Sequence, residues 1–240
     1  MPPPLISEVI QRDLPNGVKY DLSAPDHVLI SLPPTSAWSS GLHWHETHTE
    51  YLKVMQGSVK VHLGGVQQIL SATALDQPEI RVDRYVWHEW QRAEPDGEEV
   101  VVMERTDPAD GEKALFFWNL NGVIRNAPRL LDAGHVLSWL PRAMAHAMLG
   151  LWIELKLMVI FAKLDNVPVF ANLPQSVLRT GNLVPLHWLI ATDRLLSRML
   201  LLAAATVGRF LGIRPVVAEY TPDEVMAEWT TRRGAGKKLR

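Results

Sequence analysis

The string Gly41-Leu42-His43-Trp44-His45-Glu46-Thr47-His48-Thr49-Glu50, followed by Gly57, decides the reading of this chain. His43 and His45 are two positions apart, so on a strand both imidazoles leave one face while Trp44 leaves the other. The residues from Glu46 to Thr49 suffice to turn the chain. On the strand that begins at Glu50, the side chains of Glu50, Leu52 and Val54 then share a face. If that face is the inside of a barrel, two imidazoles and a carboxylate meet there as an N/N/O set for a divalent metal. One hairpin cannot surround an ion, so a further ligand must come from a distant strand. His88, in Tyr85-Val86-Trp87-His88-Glu89-Trp90, is the best placed. Three His and one Glu leave open positions on a divalent ion. Fe(II), Mn(II) and Ni(II) suit such a set, with Zn(II) as a further alternative.

Outward from this string the chain reads as short β-forming runs at 18–22, 27–32, 40–45, 51–55, 58–63, 66–72, 79–82, 86–92 and 99–105. Turn signals such as Pro15-Asn16-Gly17, Gly64-Gly65 and Pro95-Asp96-Gly97 separate them, which predicts a closed antiparallel barrel or sandwich. Asp107-Pro108-Ala109-Asp110-Gly111 marks a boundary, beyond which the pattern turns helical. A helix is expected to start at 112–119 with Asp110 as its cap, with further helices at 136–164, broken near Pro141, and at 184–211. The expected organisation is a barrel at 1–108, a helical extension at 109–230, and a disordered basic tail at 231–240.

The spacing His-x-His-x4-Glu-x6-Gly, here His43, His45, Glu50 and Gly57, resembles the first conserved motif of the cupin superfamily. His88 looks like the histidine of the second motif. That second motif departs from the family pattern. Asp83-Arg84-Tyr85 stands where Pro-x-Gly is usual, and Arg92 where an Asn is often found. The strings Asp107-Pro108-Ala109-Asp110-Gly111-Glu112-Lys113, Leu164-Asp165-Asn166-Val167-Pro168-Val169 and Glu219-Tyr220-Thr221-Pro222 are similar to a group of fungal single-cupin proteins with a helical C-terminal extension. Members of that group recur beside polyketide synthases and are described as cupin-domain oxidoreductases. The resemblance implies a cupin β-barrel (double-stranded β-helix, or jelly roll) followed by α-helices. It also implies a metal on His43, His45, Glu50 and His88, and a dioxygenase-like oxidoreductase tailoring a small aromatic or polyketide-type secondary metabolite. Two alternatives stay open: a redox-neutral isomerase, cyclase or decarboxylase, and a non-catalytic module that binds a hydrophobic intermediate.

Composition limits the chemistry further. The 240 residues are 47% apolar and 21% charged, the balance of a folded protein, and contain no cysteine. Disulfides, zinc fingers, iron–sulfur centres and thiol catalysis are excluded. Residues 1–112 carry 18 Asp/Glu against 8 Lys/Arg, and residues 113–240 carry 8 against 16. A basic half suits an acidic partner, an anionic membrane surface or the acidic half itself. Its Lys and Arg are dispersed along apolar helices with no reading motif, so nucleic acid is not expected.

Arg194, Arg198 and Arg209 share one helical face. A helix over 184–212 therefore suits peripheral membrane contact, against packing on the barrel or across a homodimer as the default. The run at 143–162 includes His146, Glu154 and Lys156, which suits a lipid-spanning centre poorly. Met-Pro-Pro-Pro-Leu at the start lacks a secretory pattern, and a cytoplasmic protein is expected.

Other residues are weighed singly. Glu104 and Tyr85 are weak candidates for catalytic roles. Glu104 would need a carboxyl pKa raised by burial, and a salt-bridged surface Glu is its default. Tyr85 and Trp90 are candidates for the pocket wall. His48 falls in the turn and reads as solvent-exposed rather than as a fifth ligand. His62 reads as outside the barrel, and His27, His135, His146 and His187 have no partner spacing.

Overall fold

Period-two burial along the strands builds two facing antiparallel sheets. The computed structural model describes residues 6–132, 139–174 and 185–238. One sheet has six strands in the spatial order β1 (Val9–Arg12), β2 (Val18–Asp21), β3 (His27–Leu32), β10 (Val100–Asp107), β5 (Thr49–Gln56) and β8 (Glu79–Val82). The other has five, in the order β11 (Val167–Pro168), β4 (His43–Trp44), β9 (His88–Arg92), β6 (Ser58–Leu63) and β7 (Val66–Ser71). Val28, Ile30 and Leu32 from β3, Leu52 and Val54 from β5, Val59 and Val61 from β6, and Val100 and Val102 from β10 fill the interior. Burying these alternate side chains fixes the register, because a one-residue slip would turn each of them to solvent.

Gly57 joins β5 to β6 at φ +74, and a Cβ there would lie 3.0 Å from both the Glu99 carbonyl oxygen and a Val100 methyl. The turn therefore requires glycine in both conformation and space.

A two-sheet β-barrel followed by helices is the fold class expected from the sequence. Two short strands escape that reading. β1 pairs with β2, and β11 comes from the helical extension to pair with β4 through Val167↔Trp44 and Pro168↔His43. β4 itself is shorter than the 40–45 run, since it meets β9 only at His43↔His88, with an isolated bridge at Ser39↔Gln91.

The helices are α1 (Glu112–Asp132), α2 (Arg142–Lys163), α3 (Leu186–Phe210) and α4 (Asp223–Lys238). Asp110 Oδ1 accepts the Glu112 amide at 3.0 Å, the expected cap. Leu115, Phe116, Phe117 and Trp118 of α1 are buried in the core shared with the barrel, where Phe117 lies 4.6 Å from the Tyr20 ring. α2 starts directly after Pro141, and the segment 133–138 before it lies outside the described residues. α4 stays helical to Lys238, where disorder was expected from residue 231. Asp223 and Glu224 in its first turn complement the helix dipole.

α3 is amphipathic in an unusual sense. Its buried stripe is Asp193, Ser197, Leu201, Ala204 and Gly208. Its outward side carries Trp188 (62% exposed), Leu195, Met199, Leu202 and Phe210 (87%). The arginine face turns toward the barrel: Arg194 donates to the Tyr85 carbonyl at 2.6 Å, and Arg198 pairs with Glu46 at 2.5 Å. Two of the three arginines expected on a basic membrane-facing stripe are thus engaged with the protein. Among the described residues, α2 is long and apolar enough to cross a membrane by length and composition alone, and Met144, Met148 and Leu151 are exposed on it.

Candidate metal centre

His43 opens its short strand directly opposite His88 on β9, so the two rings lie side by side with centroids 4.1 Å apart. His45 follows two positions on, and Glu50 enters from β5 of the facing sheet. All four side chains are buried, and each offers one ligand atom within 4.8 Å of the others. The residues expected to bind a metal are therefore brought together, with Trp44 facing away into a cluster with Val167 and Leu201.

The hydrogen bonds around the rings fix their tautomers. His43 Nδ1 lies 2.7 Å from the Gly41 carbonyl oxygen and His88 Nδ1 3.1 Å from that of Val86, while His45 Nδ1 meets the carbonyl of Asp165. A carbonyl only accepts, so each Nδ1 carries a proton and each Nε2 is left as the atom that can serve as a ligand. Glu50 Oε2 stands 2.7 Å from His88 Nε2 and 3.1 Å from His45 Nε2. Burial lowers the pKa of His88 despite the Glu50 carboxylate. It also lowers that of His43 strongly, helped by the neighbouring imidazoles. Burial alone would raise the Glu50 carboxyl, but the Lys113 ammonium and the imidazoles outweigh it and hold Glu50 well below the usual range. A cation held among the three imidazoles and the carboxylate would engage all four ligand atoms at once. The donor set fits a divalent metal.

Behind the cluster lies an ion-paired layer. Lys113 of α1 contacts Glu50 Oε1 and lies 2.8 Å from Glu104 Oε2, while Trp90 Nε1 donates to Glu104 Oε1 at 2.7 Å. Glu104 is therefore not the surface residue that was its default. It points inward with Val100 and Val102, and burial, opposed by Lys113, pushes its carboxyl up to about 7. Trp90 is a core residue rather than pocket lining.

Tyr85 is not at the centre. Its ring is 43% exposed, and its backbone, at φ +65, donates to the His45 carbonyl at 2.7 Å. The reversed backbone sends the ring to a different cavity of about 790 Å³, which is also lined by Lys60, His62 and Arg194. His62 lies outside the barrel as expected, and His135 lies outside the described residues.

His48 differs most from its reading. It is 5% exposed, with Nδ1 2.7 Å from Asp165 Oδ2 and Nε2 3.2 Å from Asp110 Oδ2. Burial would lower its pKa, but the two carboxylates raise it to about 9. With both nitrogens engaged by carboxylates it is a clasp, not a fifth ligand. Asp165, just past α2, completes the clasp: its carboxylate accepts the amides of Glu46 at 2.8 Å, Thr47 at 2.9 Å and His48 at 3.0 Å. No sequence spacing links Asp165 or Lys113 to the ligands. Both arrive from the helical extension.

A cavity of about 350 Å³ opens beside the centre, between the barrel and helices α1 and α2. His43, His45, Glu104 and Lys113 reach its wall, and Phe116, Leu120, Leu157 and Phe161 make the opposite side apolar.

No protein-family model matches this chain, and no curated protein does. Among solved structures it is similar over 40% of its length to KdgF from Halomonas sp., at 23% identity, covering 84% of that chain with a TM-score of 0.31. It is similar over 41% to the Drosophila melanogaster CENP-C cupin domain, at 18% identity, covering 75% of that chain with a TM-score of 0.32. A predicted oxalate decarboxylase from Thermotoga maritima matches 42% of the chain at 18% identity, covering 90% of its own length with a TM-score of 0.33. All three likenesses are partial.

Proposed function

We propose that this chain is a metal-dependent cupin oxidoreductase that holds one divalent ion, Fe(II) first among the candidates, on His43, His45, Glu50 and His88. Its substrate would be a small aromatic or polyketide-type metabolite received in the adjoining cavity. One observation carries the reading: three Nδ1–H groups are tied to backbone carbonyls, leaving three Nε2 atoms that can serve as ligands together with Glu50. A bound ion supplies Lewis acidity and, for iron, one-electron chemistry with open positions for small ligands.

The chain's own groups do the rest. Asp165 orients His45 through its carbonyl and braces the Glu46–His48 turn with its carboxylate. The apolar side chains of α1 and α2 exclude water from the cavity. Glu104, with a carboxyl near 7, holds a proton at the cavity wall and can exchange it near neutral pH. That pair of Glu104 and Lys113 favours a second reading, a redox-neutral isomerase, cyclase or decarboxylase, because proton transfer is what such chemistry needs.

Oxygen uptake separates the two. Protein reconstituted with Fe(II) without air is mixed with alkyl-substituted hydroxybenzaldehydes and then exposed to oxygen, with His88→Ala as the control. Iron-dependent oxygen consumption that His88→Ala abolishes supports the oxidoreductase. Product formation without oxygen, supported equally by Zn(II) or Mn(II), points to the redox-neutral reading.

The outward faces of α2 and α3 support a peripheral membrane contact as part of the same proposal. Asp193 of α3 is buried, Arg194 and Arg198 engage the barrel, and Leu195, Met199, Leu202 and Phe210 are exposed on the helix, an apolar surface unlike that of a water-facing helix. A membrane contact would bring the cavity close to lipophilic intermediates.

A further inference from the structure

We infer that the cavity beside the metal centre takes a small anionic amphiphile, a carboxylate or phenolate on an apolar body, and that Arg12 receives the anion. The inference rests on the reading of that cavity as the substrate site. Arg12 is the last residue of β1, paired with Val18, and its side chain lies along the cavity wall. Its guanidinium carbon sits 5.7 Å from the centre of the Tyr20 ring, and Nη2 donates to the Tyr20 hydroxyl at 3.0 Å. Arg12 Nε is buried and has no hydrogen-bond partner. A buried N–H left without an acceptor is costly, and native structures rarely leave one unexplained. The Nε itself is sealed from the cavity, so a ligand would meet the outer nitrogens of the guanidinium instead.

Charge accounting along the wall isolates the same residue. Lys113 is neutralised by Glu50 and Glu104, and His48 by Asp165 and Asp110. Glu112, also on the wall, stands beside His48. Among the described residues, Arg12 forms no ion pair with a carboxylate, so it is the cation of this cavity whose charge is left for a ligand.

Tyr20 adds a second donor. Its hydroxyl oxygen accepts from both Arg12 and Trp38 Nε1, each at 3.0 Å, and burial pushes its pKa up to about 12, so it keeps a proton to donate. A planar guanidinium and a phenol side by side suit an oxyanion. Phe116, Leu120, Leu157 and Phe161 offer nothing polar to the remainder of such a ligand. A volume of about 350 Å³ holds a small molecule rather than a long chain.

The test uses p-butylbenzoate and its neutral isostere p-butylbenzamide, titrated calorimetrically into the full chain with and without Zn(II). The acid is expected to bind at least about tenfold tighter than the amide in both forms, as a charge-assisted hydrogen bond requires. Arg12→Gln should bring the acid down to the level of the amide, leaving amide affinity and metal content unchanged, and Arg12→Lys should recover part of the difference. Equal binding of acid and amide to the unsubstituted protein, or no binding of either, overturns the inference without reference to any variant. An acid preference that needs Zn(II) and survives Arg12→Gln also overturns it, because the anion then sits on the metal; the metal reading itself would stand. If the metal site fails but the Arg12-dependent preference remains in metal-free protein, the inference holds for a binding module.

Discussion

The carbonyl of Asp165 receives the Nδ1–H of His45 across 120 positions of sequence. The Asp165 carboxylate meanwhile accepts three consecutive amides of the turn between the ligands, together with the His48 imidazole. The turn between the candidate ligands is therefore built jointly by the barrel and by Asp165, which lies just past α2. Removing one member of such a buried network leaves several donors without acceptors.

Asp165→Ala keeps the carbonyl that receives His45 and removes the carboxylate that braces the adjoining turn; it should destabilise the fold by ~3 kcal/mol and, by loosening that turn, weaken metal binding by about 10–100-fold. Chemical unfolding and competitive Zn(II) titration would read the two effects. Unchanged metal affinity in a folded variant would separate Asp165 from the centre.

The same clasp carries a pH signature. His48 is raised from 6.5 to about 9 when folded, so its contribution is fully present below pH 6.5 and disappears as pH rises through about 9. Asp165 is depressed below 3.8, so its contribution is present above that value and disappears as pH falls beneath it. Unfolding free energies of the protein and of His48→Gln should differ most between pH 3.8 and 6.5 and converge above pH 9. A difference that grows toward alkaline pH would mean His48 is neutral in the fold.

The grouping of His43, His45 and Glu50 was legible in the sequence because its geometry is local, whereas His88, on a distant strand, was placed by the resemblance of its motif. Period two on a strand places His43 with His45, a four-residue turn brings in Glu50, and Gly57 marks a bend that no other residue fits. What was hidden depends on contacts across the fold. His48 looked exposed because nothing in its turn shows that Asp165 and Asp110 close over it. Glu104 was ambiguous because Val101 and Met103 make the other face of β10 nearly as apolar as Val100 and Val102. The arginines of α3 do share a side, but periodicity does not say whether that side meets water or the barrel. Lys113 carries no spacing signal at all.

Glu104→Gln keeps the shape of the Glu104 side chain and removes its proton. Metal content should stay the same, while turnover falls by about 10²–10⁴-fold and loses its pH-dependent limb near 7, the range of a positioned general acid or base. Turnover with an unchanged pH profile would assign Glu104 to holding Lys113 alone.

The outward face of α3 predicts lipid binding. The protein should float with vesicles containing anionic lipid, and the double substitution of Leu195→Glu and Leu202→Glu should abolish flotation without altering the metal content. If the protein fails to float and light scattering shows a dimer that the same substitutions dissociate, the face is a protein interface instead.

The most direct test of the metal centre is elemental mass spectrometry of protein purified without chelators, beside His45→Ala and His88→Ala. The account predicts near-stoichiometric iron, manganese, nickel or zinc in the unsubstituted protein and its loss from both variants while they remain folded. No bound metal, with no uptake on anaerobic reconstitution, would contradict it.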